Sequence, residues 1–267
     1  MPAKTVERSA VFCFCGEAPP HFEYIQEGQI MSIAENIARI RAEMNAAALA
    51  CGRDPKEIKL CAATKMNDAA AVREAIAGGV DCCGENRVQE LVQKESEHAY
   101  SGAPVHFIGV LQTNKVRQVV GHVDLIQSVD RINLMTAIEK EAAKKELVQD
   151  ILLEINIGAE ESKSGFRPDE VWAVLENLPK FPHLRVRGLM AIPPVSHQEG
   201  DNLKFFKEIS QLSVDIMRKK YDNVTMECLS MGMSDDFADA IRAGSTMIRV
   251  GTAIFGARNY AKPHQAN

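Results

Sequence analysis

This sequence lacks several features, and each absence removes a class of protein. No apolar run approaches the ~20 residues of a membrane-spanning helix. There is no basic excess. Thirty-one Lys and Arg against 36 Asp and Glu give a formal charge of −5, which argues against a broad nucleic-acid surface but leaves room for a local anion site. The seven cysteines are odd in number and contain no CxxC spacing, so free thiols in a reducing cytoplasm are expected. The histidines are scattered. His106 and His122 have no acidic or cysteine partner at ligand spacing, so no metal centre is expected, and His106 reads as a core histidine. The stretch Ala10–Cys15 follows Lys4 and Arg8, but it is too short for a signal-peptide core and no small-x-small cleavage site follows.

The rest of the composition is that of a globular protein. The chain has 267 residues, 46% apolar, 25% charged and 6% aromatic, enough for one large domain or two small ones. Residues 1–30 show no sustained period, contain Pro19-Pro20, and read as a dispensable tail; residues 31–267 read as the folded domain. Ser32 with Glu35 has capping-box spacing, and Ile33, Ile37, Ile40 and Met44 form an apolar stripe, which predicts a helix from Ser32 to Cys51. Beyond it, eight strand-like runs alternate with helical patterns: Ile58–Thr64, Val80–Gly84, Val105–Val110, Leu125–Val129, Ile151–Ile155, Val186–Ile192, Met226–Met231 and Met247–Val250. Most are continuously apolar, as strands covered on both faces are. Eight β/α units in this length predict a single (β/α)8 TIM barrel with an extra N-terminal helix. A doubly wound sheet is the alternative, but GxGxxG is absent after the first strand, and Gly158–Ser164 lacks the glycine that a P-loop needs before its lysine.

A barrel of this kind carries its chemistry at the C-terminal ends of the strands. The first strand runs into Lys65. That lysine is either a rim side chain reaching water or, against apolar walls, a neutral amine able to form a Schiff base. Asn86, after the second strand, either caps the next helix or faces a ligand. Cys82 and Cys83 must point to opposite faces of that strand, and both read as packing residues. Ser230 at the end of the seventh strand and Gly232 just after it, with Gly251 and Thr252 after the eighth, are either ordinary turns or the phosphate loops that barrels often build there. Ser234 is placed to cap the next helix, and Asp235 and Asp236 sit in its first turn or form a carboxylate pair. Arg249, within the eighth strand, is a buried cation in need of an acceptor, either a ring nitrogen or an outside carboxylate.

Together these residues resemble the pyridoxal phosphate homeostasis proteins, barrel proteins similar to the N-terminal domain of alanine racemase. The resemblance covers about Met31 to Tyr260. It is carried by Ala62-Ala63-Thr64-Lys65, Gly84-Glu85-Asn86-Arg87-Val88-Gln89-Glu90, His106-Phe107-Ile108-Gly109, Gln112-Thr113-Asn114-Lys115, Gly188-Leu189-Met190, Leu229–Asp236 and Arg249–Gly256. It implies pyridoxal 5'-phosphate (PLP) held as a Schiff base on Lys65. It further implies Ser230, Gly251 and Thr252 around the phosphate, Arg249 facing the pyridine nitrogen and Asn86 near the ring. The family usually has a basic residue and a proline soon after the lysine; here Met66-Asn67-Asp68 follows, which removes a second relay lysine at that place.

Three functions fit a lysine beside phosphate loops: a PLP carrier without turnover, a PLP-dependent amino-acid racemase or decarboxylase, and a cofactor-free lysine aldolase. Arg249 favours PLP, which alone brings a ring nitrogen. A racemase needs a second acid–base group opposite the lysine, which related racemases take from a tyrosine on a further β domain. Here the chain ends soon after the eighth strand, and Tyr24, Tyr100, Tyr221 and Tyr260 fall away from the strands' C-terminal ends. An arginine at the ring nitrogen also weakens the electron sink. The expectation is a cytoplasmic, monomeric PLP-homeostasis protein with no catalytic residue of its own, whose candidate partners are apo-PLP enzymes rather than nucleic acid or membrane.

Overall fold

Ser32 starts the first helix. Its hydroxyl accepts the Glu35 backbone N–H at 3.2 Å, and the Glu35 carboxylate accepts the Ser32 N–H at 2.8 Å. The reciprocal pair satisfies two donors that a helix start leaves without partners. In the computed structural model, which describes residues 31–160, 163–194 and 200–256, helix α1 runs Ile33–Ala50 and buries Ile37, Ile40, Met44, Ala47 and Ala48. The tail expected at 1–30 lies outside the described residues.

The strands are β1 (Lys59–Ala63), β2 (Cys82–Glu85), β3 (Val105–Phe107), β4 (Leu125–Val129), β5 (Gln149–Ile155), β6 (Leu184–Ala191), β7 (Val224–Ser230) and β8 (Met247–Val250). They pair in sequence order, and β1 pairs with both β2 and β8, so the sheet closes into a barrel. The pairings are parallel, and that is why the runs are mostly apolar: one face meets the helices and the other the barrel interior. The helices are α2 (Ala69–Ala77), α3 (Val88–Ser96), α4 (Ile132–Lys144), α5 (Val171–Glu176), α6 (Leu203–Lys219), α7 (Phe237–Arg242) and α8 (Thr252–Phe255), with a 3-10 segment, Thr113–Gln118, after β3.

Because α8 is a single turn, the helix layer would be thin outside β8 and β1, and α1 fills that place. Ile37, Ile40 and Met44 join Leu60, Ala62, Ile248, Val250 and Ile254 in one buried cluster. The Asn36 amide donates to the Ile254 carbonyl at 3.0 Å, and Arg53 donates to the carbonyls of Ile241 and Ser245, both at 2.8 Å. In β6 the register shifts beside Gly188, which has φ +153°. A side chain there would run into the Cys228 carbonyl, so the irregularity requires glycine.

α4 begins at Ile132 with no side-chain cap, and Asp130 pairs with Arg131 at 2.5 Å. α7 begins at Phe237, and it is Asp236, not Ser234, that takes a backbone N–H there, that of Met233 at 2.7 Å.

Candidate functional site

Strand alternation decides which side chains reach the barrel interior. Cys61, Cys82, Leu125, Leu152, Met190, Cys228 and Met247 form the interior cluster, whereas Cys83 packs in the outer layer. Two residues on from these positions, toward the C-terminal ends, lie Ala63, Gln127, Glu154, Ser230 and Arg249; Lys65, Asn86 and Gly251 follow in the same phase. The interior of the C-terminal mouth is therefore built from residues singled out by the sequence, together with two polar ones it did not single out, Gln127 and Glu154.

Lys65 is half-buried, on a turn held from behind. The Thr64 hydroxyl donates to Glu85 Oε1 at 2.5 Å, and Lys94 Nζ donates to the Thr64 carbonyl at 2.8 Å and to Glu85 Oε1 at 2.6 Å. Met66 has φ +63°, and its N–H donates to Glu90 Oε2 at 2.6 Å. Tyr100 donates to Glu85 Oε1 at 3.1 Å. So α3 grips the peptide groups on both sides of Lys65 through Lys94 and Glu90. Glu85 is wholly buried and Lys94 nearly so. Asp68, in the place where the family usually has other residues, caps α2 by accepting the Ala71 N–H at 2.8 Å.

Asn86 does not cap α3; the cap position is Arg87, with no side-chain bond. Its Oδ1 is buried with no hydrogen-bond partner. A buried amide oxygen without a donor is costly, and its position at the strand end fits a ligand-facing role. Gly109 must be glycine here, since a Cβ would collide with the Asn86 backbone.

Arg249 is buried. It donates to the Ser230 carbonyl and hydroxyl, both at 2.7 Å, and to the Ala191 carbonyl at 3.1 Å. Among the described residues no carboxylate lies within ion-pair distance of it. Burial pulls its pKa below the ordinary value, opposed by nearby acidic groups including Glu154. Ser230 ends β7, and its hydroxyl donates to Gln127 Oε1 at 2.6 Å while accepting from Arg249. Gly251 packs against Ala63 and opens α8, whose first residue, Thr252, is exposed; helix-start N–H groups there have no intrahelical acceptor. Asp236 accepts from Asn202 at 2.8 Å as well as from Met233, a structural role rather than half of a carboxylate pair.

The residues missed by sequence reading are Glu154, Gln127 and Lys94. Glu154 interrupts the apolar run Ile151–Ile155, and Gln127 with Ser128 interrupts Leu125–Val129, and those interruptions were the available signal. Lys94 gave none, because it reads as an ordinary surface lysine of a helix. Burial pushes the Glu154 carboxyl up to about 7, Asp130 adds to the rise and Arg249 opposes it. In the unfolded chain it would ionise near 4.5. The unfolded state therefore loses this proton first, and cofactor-free stability should fall between about pH 4.5 and pH 7 by about 3 kcal/mol from this group, with no contribution to the slope beyond either limit. Urea unfolding across that range should show the decline in the native protein and a flatter profile in Glu154→Gln. Parallel profiles would remove Glu154 as the cause.

Comparison with known proteins places the chain. Residues 30–259 match the family model for the alanine racemase N-terminal domain. The chain is 42% identical over 233 residues to a pyridoxal phosphate homeostasis protein of Escherichia coli, covering 86% of this chain and 98% of that protein. It is 40% identical over 232 residues to one of Pseudomonas aeruginosa, covering 87% and 98%. The structure of PipY from Synechococcus elongatus with PLP bound superimposes with a TM-score of 0.73 at 32% identity, covering 84% of this chain and 100% of that one.

Proposed function

The chain belongs to the pyridoxal phosphate homeostasis proteins of the alanine racemase N-terminal domain family, and from that membership we propose that it holds PLP reversibly and buffers or delivers it, without turnover of its own. The observation that carries this reading is Arg249: a buried cation held by neutral oxygens, on the strand next to the one that leads into Lys65. A pyridine nitrogen is an acceptor that suits it. Lys65 supplies the amine for the aldehyde, Gly251 and Thr252 the donors for the phosphate, and Asn86 a polar contact to the ring. Ser230 serves by fixing Arg249. PLP, when bound, brings an aldehyde that an amine captures reversibly and a ring that withdraws electrons.

The same residues argue against efficient racemisation. Guanidinium does not give up its proton, so the ring nitrogen stays unprotonated and the electron sink is weak. Among the described residues, Tyr100 is turned to Glu85 in the helix layer, and Tyr221 follows α6; neither stands opposite Lys65. Delivery to apo-PLP enzymes draws support from the mouth itself, where Met66, Val110, Ile132, Ile192 and Met233 are exposed apolar side chains suited to brief contact with a recipient. The reading is of a cytoplasmic monomer. Cys51, Cys61, Cys82, Cys83 and Cys228 are free thiols, and no helix among the described residues is long and apolar enough to cross a membrane.

The test is a visible absorbance spectrum of the purified protein, followed by mixing with an apo-PLP enzyme and by incubation with L-amino acids in deuterated water. The expected result is a band that moves to the recipient, with no D-isomer formed at enzyme-like rates. Rapid formation of D-isomer would overturn the carrier reading in favour of a racemase. Thr252→Ala should weaken PLP binding about tenfold to a hundredfold, since a hydrogen bond to a charged group contributes roughly 1.5–3 kcal/mol. Unchanged affinity would move the phosphate elsewhere.

A further inference from the structure

Below the mouth, three consecutive strands bring Cys61 of β1, Cys82 of β2 and His106 of β3 together in the barrel interior. Their ligand atoms all lie within 4.8 Å of one another, and all three residues are buried. Cys61 and Cys82 are register partners. We propose that this trio is a metal site for a soft d10 cation, zinc(II), separate from the cofactor cradle.

The donor set decides the metal class. Thiolate and imidazole select zinc or copper(I) over magnesium, calcium or manganese. Zinc–sulfur bonds near 2.3 Å and zinc–nitrogen bonds near 2.0 Å in a tetrahedron need ligand atoms roughly 3.5–3.8 Å apart, which a small contraction of the trio provides. Charge then chooses between the two. Binding displaces one proton from each thiol, so zinc(II) with two thiolates and a neutral imidazole is uncharged overall, whereas copper(I) would leave a negative charge at a buried site.

A route and an outer shell are also present. His106 and Cys228 line a cavity of about 490 Å³ at the N-terminal mouth. Its wall carries four acids, Glu57, Asp124, Asp150 and Glu227, against two cations, Lys59 and Arg187, the latter paired with Asp150 and Glu227; the balance is acidic, and water from this side can take the fourth position. His106 Nδ1 lies 2.8 Å from the Gln127 amide, which leaves Nε2 as the ligating nitrogen. Ligating histidines turn their second N–H to an acceptor. Gln127 supplies one by turning its amide oxygen from Ser230 to His106 and its NH2 to Ser230. Since Ser230 also accepts from Arg249, metal occupancy reaches the residues that line the cofactor cradle.

The full-length protein, stripped with a chelator, is titrated with cobalt(II) and then zinc(II). The expected result is one cobalt per chain, with tetrahedral d–d bands in the red, clear of the cofactor's absorbance, displaced by zinc. Cys61→Ser and Cys82→Ser should lower zinc affinity by more than about a hundredfold and Gln127→Leu by about tenfold to a hundredfold, while Cys51→Ser, at an exposed thiol, leaves it unchanged. Zinc-edge X-ray absorption on the unmodified protein counts the ligands without any variant, and two sulfurs in the first shell are expected. A shell of nitrogen and oxygen only, tetrahedral bands that survive both cysteine changes, or no binding of either ion would overturn the site.

Discussion

Lys65→Ala should abolish covalent attachment of PLP while leaving the barrel folded. The expected readout is loss of the visible band and of the pyridoxyl adduct that borohydride traps in the native protein. The reason is positional. Lys65 is the residue that the inward phase of β1 delivers to the mouth, and its turn is held on both sides, by Lys94 at the Thr64 carbonyl and by Glu90 at the Met66 N–H. A lysine elsewhere on the surface has neither feature. Some cofactor should still bind, since Gly251, Thr252 and Arg249 do not depend on the amine, so equilibrium dialysis of Lys65→Ala should give weakened but measurable affinity. Lys65→Arg, which keeps the charge but cannot form the imine, should behave in the same way. A peptide map with the reduced adduct on another lysine, Lys65 being unmodified, would sink the assignment.

The second large effect is expected at Lys94, which meets the cradle only through the Thr64 carbonyl behind Lys65. Lys94→Met removes the cation beside Glu85, whose side chain has no exposure, and leaves that carboxylate facing Thr64 and Tyr100 alone. One Glu85 oxygen, Oε2, already has no partner. Breaking a buried pair from one side typically costs about 3–5 kcal/mol, whereas replacing both partners together is often close to neutral. Urea unfolding should therefore show Lys94→Met destabilised on that scale, and Glu85→Gln combined with Lys94→Met largely recovered. Because Lys94 also holds the Thr64 carbonyl, the double variant should remain slower than the native protein in capturing PLP even after its stability returns. A double variant as unstable as the single one would mean that the two side chains do not act as a pair.

Local chemistry was legible in the chain because it acts over a few residues. Ser32 and Glu35 lie three apart, so the capping box could be read directly, and α1 followed. The runs Leu125–Val129 and Met247–Val250 coincide with β4 and β8, because double-sided burial leaves a mostly apolar signature whose polar breaks, Gln127, Ser128 and Arg249, are few. Cys82 and Cys83 fell on opposite faces, as strand alternation requires. The family resemblance then assembled Lys65, Asn86, Ser230, Arg249, Gly251 and Thr252 into one site, and the folded chain brings Ser230 to Arg249 and Gly251 to Ala63.

What the sequence by itself determined was the set of elements, their parallel arrangement and the residues that end at the C-terminal mouth. What only the tertiary structure decided was which partner each polar group takes. Spacing in the chain reports neighbours three or four residues away on a helix or two on a strand. Barrel closure joins residues tens or hundreds of positions apart: Ser230 to Gln127, Lys94 to Thr64, and His106 to Cys61 and Cys82. No spacing in the chain shows that Ser230 meets Gln127 or that His106, expected as a core histidine and buried as one, stands beside Cys61 and Cys82. In both cases the deciding quantity is strand register, which hydrogen bonding and packing between strands set and which no spacing along the chain reports.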